Sequence, residues 1–342
     1  MRTGVPGCAG VRVTYDQPFS GPCGGDRAAR EEGIAITDSA TTQTPAKRTG
    51  REIIAAYVGL TKPRIIELLL VTTIPAMFLA AGGVPDLWVV LWTMTGGTLA
   101  AASANVFNSV LDADIDQHMR RTRNRPMPRH SVSRGAAFAF GAVLGVGSVV
   151  VLGLGTTPLA ALLAVVANAY YVFVYTMALK RRTSQNIVWG GIAGCFPPLI
   201  GWVAVTGEVA LPPLVLFAIV FAWTPPHTWA LAIRYKEDYA QAHIPMLPVV
   251  MPPRKVAARI LAYTILTVAV SLLLWPVAGT GWLYVAVAGG AGLAMIGEAV
   301  LLYRRAAKGV DEIQLRPMRL FHLSNTYLAL VFAAAAVDTL LP

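Results

Sequence analysis

From position 105 to 126 the chain reads Asn-Val-Phe-Asn-Ser-Val-Leu-Asp-Ala-Asp-Ile-Asp-Gln-His-Met-Arg-Arg-Thr-Arg-Asn-Arg-Pro, and its chemically capable residues recur at a fixed interval. On a continuous helix Asn108, Asp112 and Asp116 stand at i, i+4 and i+8 and line one face at about 6 Å per step, while Asp114 points elsewhere. Aligned carboxylates repel one another unless a cation bridges them. A half-open set of oxygen donors suits Mg²⁺, which keeps several waters and shares the phosphate oxygens of a substrate. Arg120, Arg121, Arg123 and Arg125 follow at once, suited to the anion such a metal would bring. The competing reading is a solvated helix tip whose acids pair with these arginines. These acids, however, directly extend an apolar run of membrane-spanning length, where ionisable groups are costly and tend to be functional.

A second polar group comes four apolar runs later, in Trp223-Thr-Pro225-Pro226-His227-Thr-Trp229-Ala-Leu-Ala-Ile-Arg234-Tyr-Lys-Glu237-Asp238-Tyr239. Two prolines break a helical ladder, and broken backbone at membrane depth is tolerated where it lines a cavity. His227 follows that break. It is a catalytic or binding candidate, with a hydrogen-bonded core histidine as the alternative. Between the two groups, Lys180, Arg181 and Arg182 end another run. They anchor it at the headgroups, and Lys180 could in addition swing onto a diphosphate; the charges alone leave both readings open.

The elements that position these residues are set by composition. Of 342 residues 55% are hydrophobic and 13% charged, with a mean hydropathy of +0.57, which excludes a soluble enzyme. Nine apolar segments, at 65–83, 87–109, 136–155, 158–176, 186–205, 211–233, 257–277, 281–302 and 320–341, have the length of membrane-crossing helices. They lack the alternation of barrel strands, so the fold class is all-α. All 28 Lys and Arg fall in the N-terminal tail, in the loops after segments 2, 4, 6 and 8 or, for Arg259, in the first turn after the loop that follows segment 6, and none in the loops after segments 1, 3, 5 and 7 or at the C-terminus. This places the N-terminus in the cytoplasm and the C-terminus outside. It also reads the net charge of +10 as orientation in a lipid bilayer, with no nucleic acid as partner. The two long inner loops, after segments 2 and 6, carry the unusual polar residues, so the active site is expected at the cytoplasmic face. Residues 1–50 are polar and aperiodic, without the apolar core of a signal peptide, and read as a disordered cytoplasmic tail ahead of a nine-helix domain over 51–342. Cys8, Cys23 and Cys195 have neither metal-ligand spacing nor a paired framework.

With these residues in view, the chain resembles the UbiA-type intramembrane prenyltransferases, in the form that farnesylates heme. The resemblance is carried by Asn108-x3-Asp112-x-Asp114-Ile-Asp116-x2-Met119-x-Arg121-Thr122-x2-Arg125-Pro126. Further matches are Leu60-Thr-Lys62-Pro-Arg64, Tyr175-Thr176 through Leu179-Lys180-Arg181-Arg182-Thr183, Pro197-Pro-Leu-Ile-Gly-Trp202, Trp223 to His227 and Ile244-Pro-Met-Leu-Pro248. It runs from about residue 55 to the C-terminus.

The resemblance implies nine helices around a central cavity open to the cytoplasm, in the plasma membrane. It implies farnesyl diphosphate and heme b as substrates, Mg²⁺ as cofactor and heme A synthase as a partner. Asn108, Asp112, Asp116 and His227 are then the catalytic candidates, with Asp112 and Asp116 on the metal. Lys62, Arg64, Arg121, Arg125, Lys180 and Arg234 are candidates for the diphosphate charge. Quinone-forming relatives carry a second acidic motif; here His227 and Arg234 stand where two of its acids would be and only Asp238 remains, so Arg234 is expected to replace a second metal's charge. Those relatives also space a tyrosine and a lysine by four where Tyr175 and Lys180 are five apart, so that tyrosine's role is not carried over. A quinone or chlorophyll-precursor prenyltransferase is the nearest alternative. A transporter is the alternative from another class; its midplane charges would have to be Glu298, Glu67 or Asp338.

Overall fold

A computed structural model describes residues 49–341, apart from the side chains of residues 64, 65, 67–70, 312 and 313. The proposed tail over 1–50, with Cys8 and Cys23, lies almost wholly outside the described residues. Every described element is helical: α1 Gly50–Thr61, α2 Pro63–Ala81, α3 Leu87–Leu111, α4 Ala113–His118, α5 Arg134–Gly155, α6 Pro158–Ala169, α7 Asn186–Gly190, α8 Phe196–Thr206, α9 Leu211–Arg234, α10 Lys236–Gln241, α11 Leu247–Val250, α12 Pro253–Ala278, α13 Trp282–Ala307, α14 Glu312–Leu315 and α15 Pro317–Asp338. A π-helical stretch, Tyr170–Leu179, prolongs α6, and a 3₁₀ turn, Gly191–Cys195, joins α7 to α8.

Among the described residues eight spans are long and apolar enough to cross a membrane: α3, α5, α6 with its π extension, α7 through α8, α9, α12, α13 and α15. In α2 the described apolar stretch, Val71–Ala81, is shorter than a membrane needs. Large apolar side chains point outward around the spans. Leu154 is 84% exposed, Leu293 72% and Phe138 60%, a surface that water would penalise and lipid tails would cover.

Inside, α9, α12, α13 and α15 share one core with Trp229, Tyr284, Tyr327 and Phe332 fully buried, and α3 packs along α5. Close approach needs small residues. A Cβ on Gly201 of α8 would stand 2.7 Å from the Thr73 carbonyl oxygen of α2, so only glycine lets these two helices pack as they do. Two of the charged residues a transporter would use, Glu298 and Asp338, have structural partners; the third, Glu67, has its side chain outside the described residues. Glu298 receives Arg305 at 3.1 Å on its own helix, and Asp338 at the end of α15 accepts the backbone N–H groups of Gly281 and Tyr284, capping the start of α13.

Candidate active site

Two helix breaks and one under-wound stretch build the site. The first break is Lys62, between α1 and α2, held in the left-handed region at φ 53° with Pro63 opening the next helix. A lysine in this conformation is costly and persists where the surroundings fix it. Here it sends Nζ to Asn108 Oδ1 at 2.5 Å. Burial first, then repulsion from Arg125 and Lys180, pushes this ammonium down to about 7.

The second break falls inside the acidic motif. The helix that the sequence suggests through Asp116 instead turns at Asp112 (φ −95°, ψ 8°), which ends α3 and begins α4. The i+4 ladder survives the turn, because Asp112 N–H donates to Asn108 O at 2.9 Å and Asp116 N–H to Asp112 O at 2.8 Å. Asn108, Asp112 and Asp116 therefore still share a face, and all three are buried.

The under-wound stretch supplies one of the opposing cations, Lys180, at its end. In a π-helix the residue one turn on is i+5, so Tyr175 and Lys180, and Tyr171 and Thr176, fall on common faces. Lys180 N–H donates to Tyr175 O at 2.9 Å, and the Thr176 hydroxyl to Tyr171 O at 2.9 Å. The five-residue spacing of Tyr175 and Lys180 is thus one hydrogen-bonded turn of this π-helix. Lys180 Nζ donates to Asp112 Oδ2, and Asn108 Nδ2 bridges Asp112 Oδ2 (2.7 Å) and Thr176 Oγ1 (3.1 Å). Arg125 grips both oxygens of Asp116 at 2.9 and 3.0 Å, and Thr122 ties the Asp116 carbonyl at 3.0 Å. Asp114 does point away from this row: Arg181 forks onto its carboxylate at 2.7 and 2.8 Å and donates to the Leu111 carbonyl at 3.0 Å. The guanidinium beside it holds the Asp114 carboxyl below its usual range.

Lys62, Asn108, Asp112, Asp116, Arg125 and Lys180 are thereby gathered from four segments. Asp112 Oδ1 is buried without a hydrogen-bond partner, with Arg181 at 4.0 Å. A buried carboxylate oxygen in that state is poorly satisfied by protein alone and well satisfied by a cation. No cluster of three His, Cys, Asp or Glu converges among the described residues, so a metal here would take two carboxylates and an amide oxygen and draw its remaining ligands from water and substrate. Of Arg64 the structure describes only the backbone, in the first turn of α2.

His227 lies elsewhere on the wall. It is stacked between Trp223 and Phe321, with ring centroids at 4.2 and 4.4 Å, and its Nδ1 meets Ser324 Oγ at 2.9 Å. It lines a cavity of about 890 Å³ together with Tyr171, Tyr175 and Thr224. Tyr171 also borders a narrow apolar cavity of about 180 Å³ that runs from Asn105 past Gly97, Ala101, Ala164 and Phe196. Arg121 and Arg234 line a third recess, with Asp238. Tyr239, half-buried near Arg121, Lys180 and Arg125, has its phenol pushed up by desolvation.

Several of these participants had no usable signal in the sequence. Tyr171 becomes a neighbour of the acids only through the π-helix. Phe321 and Ser324 reach His227 from the far end of the chain.

Comparison with known proteins follows this geometry. Residues 69–326 match the UbiA prenyltransferase family. The protoheme IX farnesyltransferase of Cutibacterium acnes (strain DSM 16379 / KPA171202) is 62% identical over 293 residues, 86% of this chain and 87% of that one. That of Nocardioides sp. (strain ATCC BAA-499 / JS614) is 58% identical over 309 residues, 90% of this chain and 98% of that one. Solved folds agree at low identity. A structure of digeranylgeranylglyceryl phosphate synthase in membranes aligns with a TM-score of 0.69 at 18% identity, over 84% of this chain and 99% of that one. A UbiA homolog from Archaeoglobus fulgidus bound to GPP and Mg²⁺ aligns at 0.57 and 14% identity, over 82% and 99%. Family model and relatives span the same helices that assemble the acids, and the chain belongs to the UbiA prenyltransferase family.

Proposed function

We propose that this prenyltransferase moves the farnesyl group of farnesyl diphosphate to a vinyl group of heme b, with addition of water, giving the hydroxyethylfarnesyl heme called heme O. The observation that carries the proposal is the buried row of Asn108, Asp112 and Asp116 with an unsatisfied Asp112 oxygen, faced by cations from three other segments. It is supported by relatives named protoheme IX farnesyltransferase at 52–62% identity.

Mg²⁺, when bound by Asp112, Asp116 and Asn108, supplies charge to neutralise a departing diphosphate. Lys62, Arg64, Arg125 and Lys180 take the remaining phosphate charge; Lys62 and Lys180, now turned onto Asn108 and Asp112, have only to rotate toward the anion. The C1–O bond of the farnesyl group breaks, and its electron pair leaves with diphosphate. The narrow apolar cavity beside Asn105 suits the branched chain and keeps water from the allylic cation. The vinyl π electrons of heme, in the aromatic cavity, form the new bond to C1 and leave positive charge on the carbon beside the pyrrole. Water adds there and loses a proton. Tyr171, bordering both cavities, sits where the two substrates meet. His227 faces the acceptor, and Ser324 fixes its ring.

The same reading takes α2 as a ninth crossing, with residues 1–50 a cytoplasmic tail, the C-terminus outside, the site on the cytoplasmic side of the plasma membrane and heme A synthase receiving the product. Protein incubated with heme b, farnesyl diphosphate and Mg²⁺ should yield a porphyrin heavier by one farnesyl and one hydroxyl group. Replacing solvent with ¹⁸O-water should put the label in that product's hydroxyl; no product with active lipid and metal present would remove the reading.

A further inference from the structure

The recess that holds Arg121 and Arg234 belongs to neither the acid row nor the aromatic cavity. It has a volume of about 1090 Å³, and Arg120, Arg121, Arg234, Lys236, Arg316 and Arg319 stand around it against two acids, Glu237 and Asp238. Orientation in a membrane asks for positive charge in inner loops, yet does not ask that three separate loops converge their charge on one recess. Nor does it ask for arginine. Five of the six cations are arginines, whose planar forks match carboxylates two bonds at a time.

Two of them are held in place. The Arg121 guanidinium lies over the Tyr235 ring, 5.5 Å from its centroid. Arg316 sits in the left-handed region at φ 51° directly before Pro317, the same costly arrangement that aims Lys62 at Asn108.

The recess and the aromatic cavity share their walls. His227 and Arg234 are seven residues apart on α9, about 10 Å along its axis. Phe321 and Arg319 lie within one turn of each other near the start of α15. A flat ligand lying over the joined faces of α9 and α15 would therefore have an apolar part inside and one charged edge at the rim.

We infer that the recess is a dicarboxylate site, holding the two propionate groups of the porphyrin acceptor and turning its opposite, vinyl-bearing part toward the acid row. This rests on heme b being the acceptor. It reassigns Arg121 and Arg234 from the diphosphate to the second substrate.

The test compares heme b with its dimethyl ester, which keeps the ring, iron and vinyl groups and loses both carboxylates. Purified protein in detergent is titrated with each porphyrin by Soret absorbance, and the KM for farnesyl diphosphate is measured in parallel. Wild type should bind heme b about tenfold or more tighter than the diester. Arg316→Gln and Arg319→Gln should each weaken heme b by about tenfold and move the diester by less than about twofold, without raising the KM for farnesyl diphosphate. Equal wild-type affinity for the two porphyrins, losses in the variants that are the same for both, or a raised KM for farnesyl diphosphate instead, would each overturn the dicarboxylate site while heme b remained a substrate. Failure of wild type to farnesylate heme b at all would defeat the underlying reading, and the inference with it.

Discussion

Arg181 acts on the site through its neighbours. Its fork on Asp114 and its bond to the Leu111 carbonyl fasten the end of the π-helix to the end of α3, and these two ends present Lys180 and Asp112 to each other. Both partners are well exposed, so the pair adds little to global stability. Its effect should appear in catalysis. Arg181→Gln and Asp114→Asn are each expected to lower kcat several-fold with little change in melting temperature, and the double variant to be no worse than either single one. A double-mutant cycle on initial rates checks this, and additive losses would show that the two residues act separately. Because Arg181 holds the Asp114 carboxyl below its usual value of 3.8, the clamp is intact above that pH and is lost as pH falls through the lowered value. Most of the acid site is legible in the sequence, since an i, i+4, i+8 row survives a turn that keeps the ladder bonds. The partner of Asp114 is not legible. It lies 67 positions away, and no local pattern pairs the two.

At the scale of elements, the helix after Pro158 shows what periodicity misses. Its apolar pattern announces a spanning helix but not that the last ten residues are wound as π, and it is this winding that sets Tyr175 and Lys180 on one face. Tyr175 then needs room. Its ring occupies the space a side chain at Gly190 would take, 2.1 Å from where a Cβ would stand. Gly190→Ala should displace the ring and lower activity about tenfold. Gly201→Ala meets the rigid backbone of α2 instead and should cost about 1–3 kcal/mol of stability while sparing the rate of the folded fraction. Thermal unfolding and specific activity, measured on both variants, separate the two effects; the reverse pattern would show that Gly190 serves packing and Gly201 the site.

For the whole molecule, charge and hydropathy give the architecture early. All but one of the nine apolar segments coincide with described helices of spanning length, and the exception, α2, is the helix that follows Lys62. Most spans carry large apolar side chains outward, and the buried carboxylates, Asp112, Asp116 and Asp238, lie where the two long loops meet the spans. A single-sequence reading reaches this far because membrane length and charge asymmetry are coarse properties of the chain. It cannot divide the arginines between two substrates, because that depends on which loops converge. The proposed orientation predicts that a cysteine placed after Pro342 reacts with an impermeant thiol reagent from outside intact cells, whereas one placed in the loop at Asn124 does not; the opposite labelling would invert the topology.

The central claim is that one buried acid row drives transfer of farnesyl to heme b. The most direct measurement is product mass from purified wild type and Asp112→Asn, each given heme b, farnesyl diphosphate and Mg²⁺. Wild type should form the porphyrin heavier by one farnesyl and one hydroxyl group, and Asp112→Asn should form it on the order of 10²-fold or more slowly while still binding heme b. Product from Asp112→Asn at the wild-type rate, or none from wild type, would contradict the account.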